Sequence, residues 1–192
     1  MPAVRMRVKP PPAVMALGLA LAAALGGCSS SGHDPATNGP LSSGTGQNGK
    51  ILPHDGECAT RFYGRLWAFG IDQFTNYGHT TVVLDRVVLL RPHNERLIGA
   101  DVIPGTREPI GAITWPPNLT SVRGAWKTRQ PVRGFRVAPR KTFNMVLGVE
   151  PTGSRNATSE GMLVYYHDPA GSYVAPNYLS MQIAVGKNGC GD

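Results

Sequence analysis

His54-Asp55 and His167-Asp168 each set an imidazole beside a carboxylate, the partnership that acid–base catalysis uses. Both pairs stand in turn-like contexts where His and Asp are ordinary residues. No G-x-S-x-G elbow, H-E-x-x-H motif or complete P-loop accompanies them. The carboxylates are scattered, so spacing places no acid–base couple, and the expectation is a protein that is not an enzyme. A metal is the other chemistry to weigh. His79, His93 and His167 are the only reasonable ligands, with Met145, Met162, Met181 and Cys190 as sulfur donors. Met145 and Met162 fall on apolar strand faces and read as core filler. The expectation is therefore no cofactor and no metal, with a copper- or zinc-handling domain or a hydrolase with an unrecognised site as the alternatives.

Charge is concentrated more than catalytic potential is. The chain carries 19 Lys and Arg against 12 Asp and Glu, a formal +7. Between Glu108 and Glu150 there is no acidic residue, yet Arg123, Lys127, Arg129, Arg133, Arg136, Arg140 and Lys141 all fall there, interleaved with Trp115, Trp126 and Phe135. Gathered on one face, they would suit anionic lipid headgroups or acidic envelope polymers. Dispersed over loops and two sheet faces, they would be solvated charges. No nucleic-acid-binding motif stands beside them, and nucleic acid is not an expected partner.

The N-terminus carries a different chemistry. Arg5, Arg7 and Lys9 precede a 13-residue apolar run, Ala13 to Leu25, too short to cross a bilayer as a helix. Leu25-Gly26-Gly27-Cys28 then follows, and this stretch resembles the bacterial lipobox. The resemblance implies a signal peptide over 1–27 and a diacylglycerol on the Cys28 sulfur, Cys28 becoming the mature first residue. It also implies an extracytoplasmic protein held to the outer face of the cell membrane. Arg5 and Arg7 are separated, so a twin-arginine signal is not expected. Removing the signal leaves 16 Lys and Arg against 12 acids, about +4. With Cys28 lipidated, Cys58 and Cys190 remain as an even pair for one disulfide near the two ends of the domain.

Elements to position these groups can be read from composition. Residues 28–50 are rich in Ser, Gly, Asn and Pro, and are expected to be a disordered tether of about 22 residues. As a coil it would hold the domain roughly 25 Å from its anchor. Residues 51–192 then form one domain. Thr81 to Leu90 is β-branched and ends at Arg91-Pro92-His93-Asn94. Leu97 to Ile103 and Thr142 to Val149 follow, the latter alternating with Phe143, Met145, Leu147 and Val149 on one face. Met162 to His167 and Ser172 to Val174 flank a hairpin turn at Asp168-Pro169-Ala170-Gly171, and Leu179 to Val185 closes the set. Arg61 to Phe69 reads as an opening strand; Gly111 to Trp115 and Val132 to Val137 are weaker. No long helical periodicity is present.

About seven to nine short strands argue for an all-β, antiparallel, immunoglobulin-like sandwich. The run Met145-Val146-Leu147-Gly148-Val149 and the later Gly161-Met162-Leu163-Val164-Tyr165-Tyr166 resemble the late strands of bacterial immunoglobulin-like modules, which place a tyrosine before the last hairpin. A sandwich with His, Met and a late cysteine also invites comparison with blue-copper proteins. Cys190 is followed only by Gly191 and Asp192, so the ligands those sites place after the cysteine are missing. The abundance of Gly, Ala and Pro, and of Arg over Lys, resembles exported lipoproteins of actinobacteria. The function these readings imply is an exported, lipid-anchored envelope protein with a non-catalytic binding or structural domain. Its partners would be the membrane, through the anchor, and an anionic envelope polymer or another envelope protein.

Overall fold

Alternation of large apolar and polar side chains over six to ten residues can bury one face of a strand and wet the other. A computed structural model of the chain describes residues 35–44, 56–61, 66–105, 110–117, 120–186 and residue 190. The signal segment 1–27, Cys28, and the pair His54-Asp55 lie outside the described residues.

The strands in order are β1 (Leu41–Ser43), β2 (Gly56–Arg61), β3 (Trp67–Asn76), β4 (Val82–Leu89), β5 (Glu95–Pro104) and β6 (Gly111–Thr114). A short helix α1 (Thr120–Lys127) follows, then β7 (Gln130–Pro131), β8 (Arg136–Val137), β9 (Thr142–Pro151), β10 (Ala157–Ser159), β11 (Met162–Asp168), β12 (Gly171–Asn177) and β13 (Ser180–Val185). Nine of the described strands have four or more residues; the remaining pieces of two or three residues are what composition does not resolve. One sheet runs β1-β3-β9-β5-β7, with β6 also on β3. A second runs β12-β11-β4-β8, and a third runs β10-β13-β2. Pairing is antiparallel except between β13 and β2. One apolar core, from Leu41 through Phe74, Leu84, Phe143 and Val164 to Ile183, draws side chains from all three sheets. The protein is an all-β sandwich, immunoglobulin-like in the broad sense of facing antiparallel sheets.

The expected strands hold their places, with instructive differences. Arg61 to Phe69 is not one opening strand: β2 ends at Arg61 in one sheet and β3 begins at Trp67 in another. The run from Val132 to Val137 is strand only at its end, in β8. In β9 both faces are buried from Phe143 to Val149 rather than one. The reason is a second apolar cluster on the outer face, where Ala68, Ile103 and Val146 meet Trp126 of α1, with Trp115 packed alongside. Trp115 and Trp126 meet edge to face with centroids 5.4 Å apart. A β-carbon at Gly148 would lie 2.6 Å from the Trp115 indole, so this glycine is what lets the ring lie on the strand.

The tether is the main correction. Residues 28–50 are not free throughout, because the compact unit begins at Asp34 and the described stretch 35–44 is built into the sandwich. Ala36 N–H donates to the Ser172 carbonyl, and Ala36 C=O accepts from Val174 N–H, placing the chain beside β12. Four residues later it crosses to the other sheet. Tyr77 N–H donates to the Pro40 carbonyl, and β1 pairs with β3 as Leu41 opposite Asn76. Leu41 is buried, and its N–H donates to the Tyr166 hydroxyl at 3.0 Å. Tyr166 is stacked on Tyr173, and burial pushes its pKa up to about 12. Gly39 and Pro40, which read as linker composition, are the means of close approach. A β-carbon at Gly39 would lie 2.1 Å from the Tyr166 hydroxyl oxygen and 2.6 Å from the Tyr173 ring. Gly39→Val is expected to lower stability by about 1–3 kcal/mol through overpacking and to expose this crossing. Protease cleavage between residues 35 and 44 should accelerate in the variant; an unchanged cleavage rate would show that the crossing contributes nothing.

Candidate functional site

Val82 and Val83 of β4 pair with Val137 and Arg136 of β8, so the middle of the basic segment becomes the edge of the β12-β11-β4-β8 sheet. The chain then turns through Ala138 to Lys141 and enters β9, which belongs to the facing sheet. Arg140 has φ +61, a left-handed conformation that a tight reversal requires here. Asn76, fully buried, fixes the arrangement. Its amide donates to the carbonyls of Thr80 and Val137 at 2.8 and 2.9 Å, and its side-chain oxygen accepts from Gly78 N–H. Its backbone accepts from Arg140 N–H and donates to the Lys141 carbonyl. One residue therefore ties the 77–80 turn to the 138–141 turn.

Between the 138–141 turn, the segment 134–137 that leads into it and the end of β5 opens a cleft of about 590 Å³, within the range of small-ligand sites. Pro104, Gly105 and Thr142 line one side; Gly134, Phe135, Arg136 and Lys141 line another. Phe135 is held in place by the Phe143 ring, edge to face at 5.6 Å, and Phe143 stacks in turn on Phe74. Arg136 and Lys141 are exposed, and among the described residues neither has an ion-pair partner. The lining contains no carboxylate, imidazole or thiol among the described residues. What such a site can do is neutralise an anion against a half-buried aromatic wall, the guanidinium supplying a fork of donors.

The other basic residues of the segment do not join them. Arg129 lies 4.6 Å over the Trp126 ring, donates to the Trp126 carbonyl and sits 3.8 Å from the Asp101 carboxylate. Burial pushes the pKa of Asp101 up, and the Arg129 charge offsets part of that. Lys127 is exposed in the last turn of α1, and Arg133 is exposed beyond β7. Arg123 lies on α1, and its side chain is outside the described residues. Of the two arrangements open to the seven basic residues, the described ones are dispersed, with Arg136 and Lys141 in one cleft and Arg140 on the turn between them. Asn76 carried no signal of its own, because a lone Asn at a strand end is commonplace; only the two turns it joins reveal its role.

His167 and Asp168 have structural partners. His167 Nδ1 lies 2.9 Å from an oxygen of Asp85, across the strands, rather than acting with its neighbour Asp168. Asp168 instead accepts from Ala170 and Gly171 N–H in the hairpin turn and from the Thr80 hydroxyl. His93 closes a backbone bridge with Thr158, and His79 stands exposed in the 77–80 turn. Among the described residues no three His, Cys, Asp or Glu side chains converge as a metal site would require. Met145, Met162 and Met181 are buried in the core. Cys58 and Cys190 are joined, with Cα atoms 5.7 Å apart, as the cysteine arithmetic expects.

No family model matches the chain, and no curated protein sequence does. Among solved structures, a similarity to the Vibrio cholerae VesB protease has 12% identity and a TM-score of 0.35, covering 75% of this chain. The chain spans 31% of the length of that protease. A second, to the ASH/PapD-like domain 7 of human CEP192, has 11% identity and a TM-score of 0.34, covering 92% of this chain and all of that one. Likenesses this distant carry no functional argument.

Proposed function

We propose that the chain is an exported, lipid-anchored cell-envelope protein whose sandwich is a non-catalytic binding module for anionic groups. The observation that carries the binding half is the cleft itself, where Arg136 and Lys141 stand beside the clamped Phe135 without carboxylate partners among the described residues. Export and anchoring are supported by the cysteines. A Cys58–Cys190 bridge belongs to an oxidising compartment, and the third cysteine of the sequence, Cys28, stands at the position the lipobox assigns to lipid. The ligand is a phosphate- or carboxylate-bearing component of the envelope.

Titration of the purified protein with a soluble glycerol-phosphate oligomer tests the cleft. Binding is expected to weaken as salt is raised. The Arg136→Ala, Lys141→Ala double variant should lose at least about tenfold in affinity, since a single charge-assisted hydrogen bond is worth about 1.5–3 kcal/mol. If the double variant binds as the parent does, while Lys127→Ala weakens binding, the site lies elsewhere.

A further inference from the structure

The crossing segment shortens the distance between anchor and domain. We infer that the end of the sandwich bearing the basic cleft rests on the membrane surface, with Arg136, Arg140, Lys141 and Tyr77 turned to anionic lipid headgroups. This rests on the anchor and cleft readings above and goes beyond them by naming the partner as the bilayer itself.

Three observations carry it. The first is reach. Pro35 is already beside β12, so only seven residue steps separate it from Cys28, roughly 25 Å at full extension. A free tether to residue 50 would have reached about three times as far. A unit of this size is about 40 Å across, so a reach shorter than this favours contact by the end where the chain enters over contact by the opposite end.

The second is location. A run of hydrogen bonds connects Pro35 to the cleft without leaving that end. Ala36 bonds to Ser172, the hairpin residue Asp168 to Thr80, Pro40 to Tyr77, and Asn76 to Arg140 and Lys141. The starts of β1, β4 and β9 and the ends of β3, β5 and β11 meet there. The membrane-proximal end and the cleft end are one.

The third is complementarity. Tyr77 is one of two large hydrophobic side chains left well exposed among the described residues, at 50%. An exposed tyrosine next in the chain to Asn76, whose backbone bonds those of Arg140 and Lys141, suits the headgroup layer, where its ring and hydroxyl meet apolar and wet surroundings. Among the described residues the acids near this end are engaged: Asp85 with His167, Asp168 with the hairpin amides and Thr80, and Asp101 with Arg129. His79 adds no negative charge. Each Lys or Arg at an anionic surface gains about fivefold in binding, so three contribute roughly a hundredfold.

The test uses the full chain, reconstituted in vesicles of phosphatidylcholine alone or mixed with phosphatidylglycerol, with hydrogen exchange read at residues 77–80 and 138–141. Slower exchange, by several-fold, is expected in the anionic vesicles only. It should be lost on Arg136→Glu with Lys141→Glu, and at about 1 M salt, where the screening length falls to about 3 Å. Inserting Gly-Ser repeats between Ser31 and Gly32 should weaken it without touching the domain. Equal exchange in both vesicle types overturns the proposal. If inorganic phosphate in neutral vesicles produces the same protection as the anionic lipid, the cleft takes a free anion; the membrane contact is then wrong and the cleft reading stands. Intact mass of the membrane-extracted chain separates the remaining case: a Cys28 without lipid overturns anchor and orientation together.

Discussion

Replacing both Cys58 and Cys190 with serine is expected to lower the unfolding free energy by about 3–5 kcal/mol. The bridge spans 132 positions, and cross-linking a loop of that size removes chain entropy worth about 5 kcal/mol on the simplest model. Local topology adds to the expectation. Strand β2 is the outer strand of its sheet, paired there in parallel to β13, with Gly56 opposite Ser180 and Arg61 opposite Val185. The bridge fastens this strand to the segment that follows β13. Its loss should therefore loosen β2 before the larger sheets. Denaturant unfolding with and without reductant gives the overall figure, and hydrogen exchange over 56–61 gives the order of events. A change below about 1 kcal/mol would mean that the sheets, and not the cross-link, supply the stability of this edge.

Glu95 supplies the second large effect, and it depends on pH. Its carboxylate is buried at the start of β5, and neither oxygen has a hydrogen-bond partner among the described residues. Burial pushes its pKa from 4.5 to about 7, the neighbouring Ser159 offsetting part of the rise. A carboxyl group whose pKa is raised by folding holds its proton more tightly in the folded state. Its contribution is thus unpenalised below about pH 4.5, and stability is lost as pH climbs through about 7. The shift corresponds to at most about 3 kcal/mol, and about 2 kcal/mol once partial solvent screening is allowed. Glu95→Gln should be the more stable protein above neutrality and should lose the decline between about pH 5 and 8. Thermal unfolding of both proteins across that range decides it. A parallel decline in the variant would assign the pH dependence to another group.

Which parts of this structure could be read from the chain follows from which forces act locally. Strand β4 was legible as a run of β-branched and aliphatic residues, and in β11 Met162, Val164 and Tyr166 alternate with less buried neighbours. Helix α1 was not, because eight residues containing Gly124 carry too little helix-forming free energy of their own; Trp126 on Trp115 holds it from outside. The N-terminal crossing was hidden for the opposite reason. Its Gly39 and Pro40 match linker chemistry, and the close approach that needs them depends on Tyr166 and Tyr173, more than 120 residues away. The cleft was half legible. Basic residues could be counted, but their convergence depends on the left-handed turn at Arg140 and on Asn76 joining two loops from facing sheets.

The three-residue strand β1 has a mechanical meaning. It starts at the end of the sandwich where the chain arrives from Pro35 and runs away from that end, antiparallel to β3. Tension applied to the chain ahead of Pro35 meets the Ala36 bonds to β12 first, and what passes them pulls β1 back along its own axis. The rungs joining Leu41 to Asn76 and Ser43 to Phe74 are loaded together in shear instead of being unzipped one after another. A few residues that look like slack work as a strain relief, stopping a tug on the N-terminus before it reaches the buried face of β3.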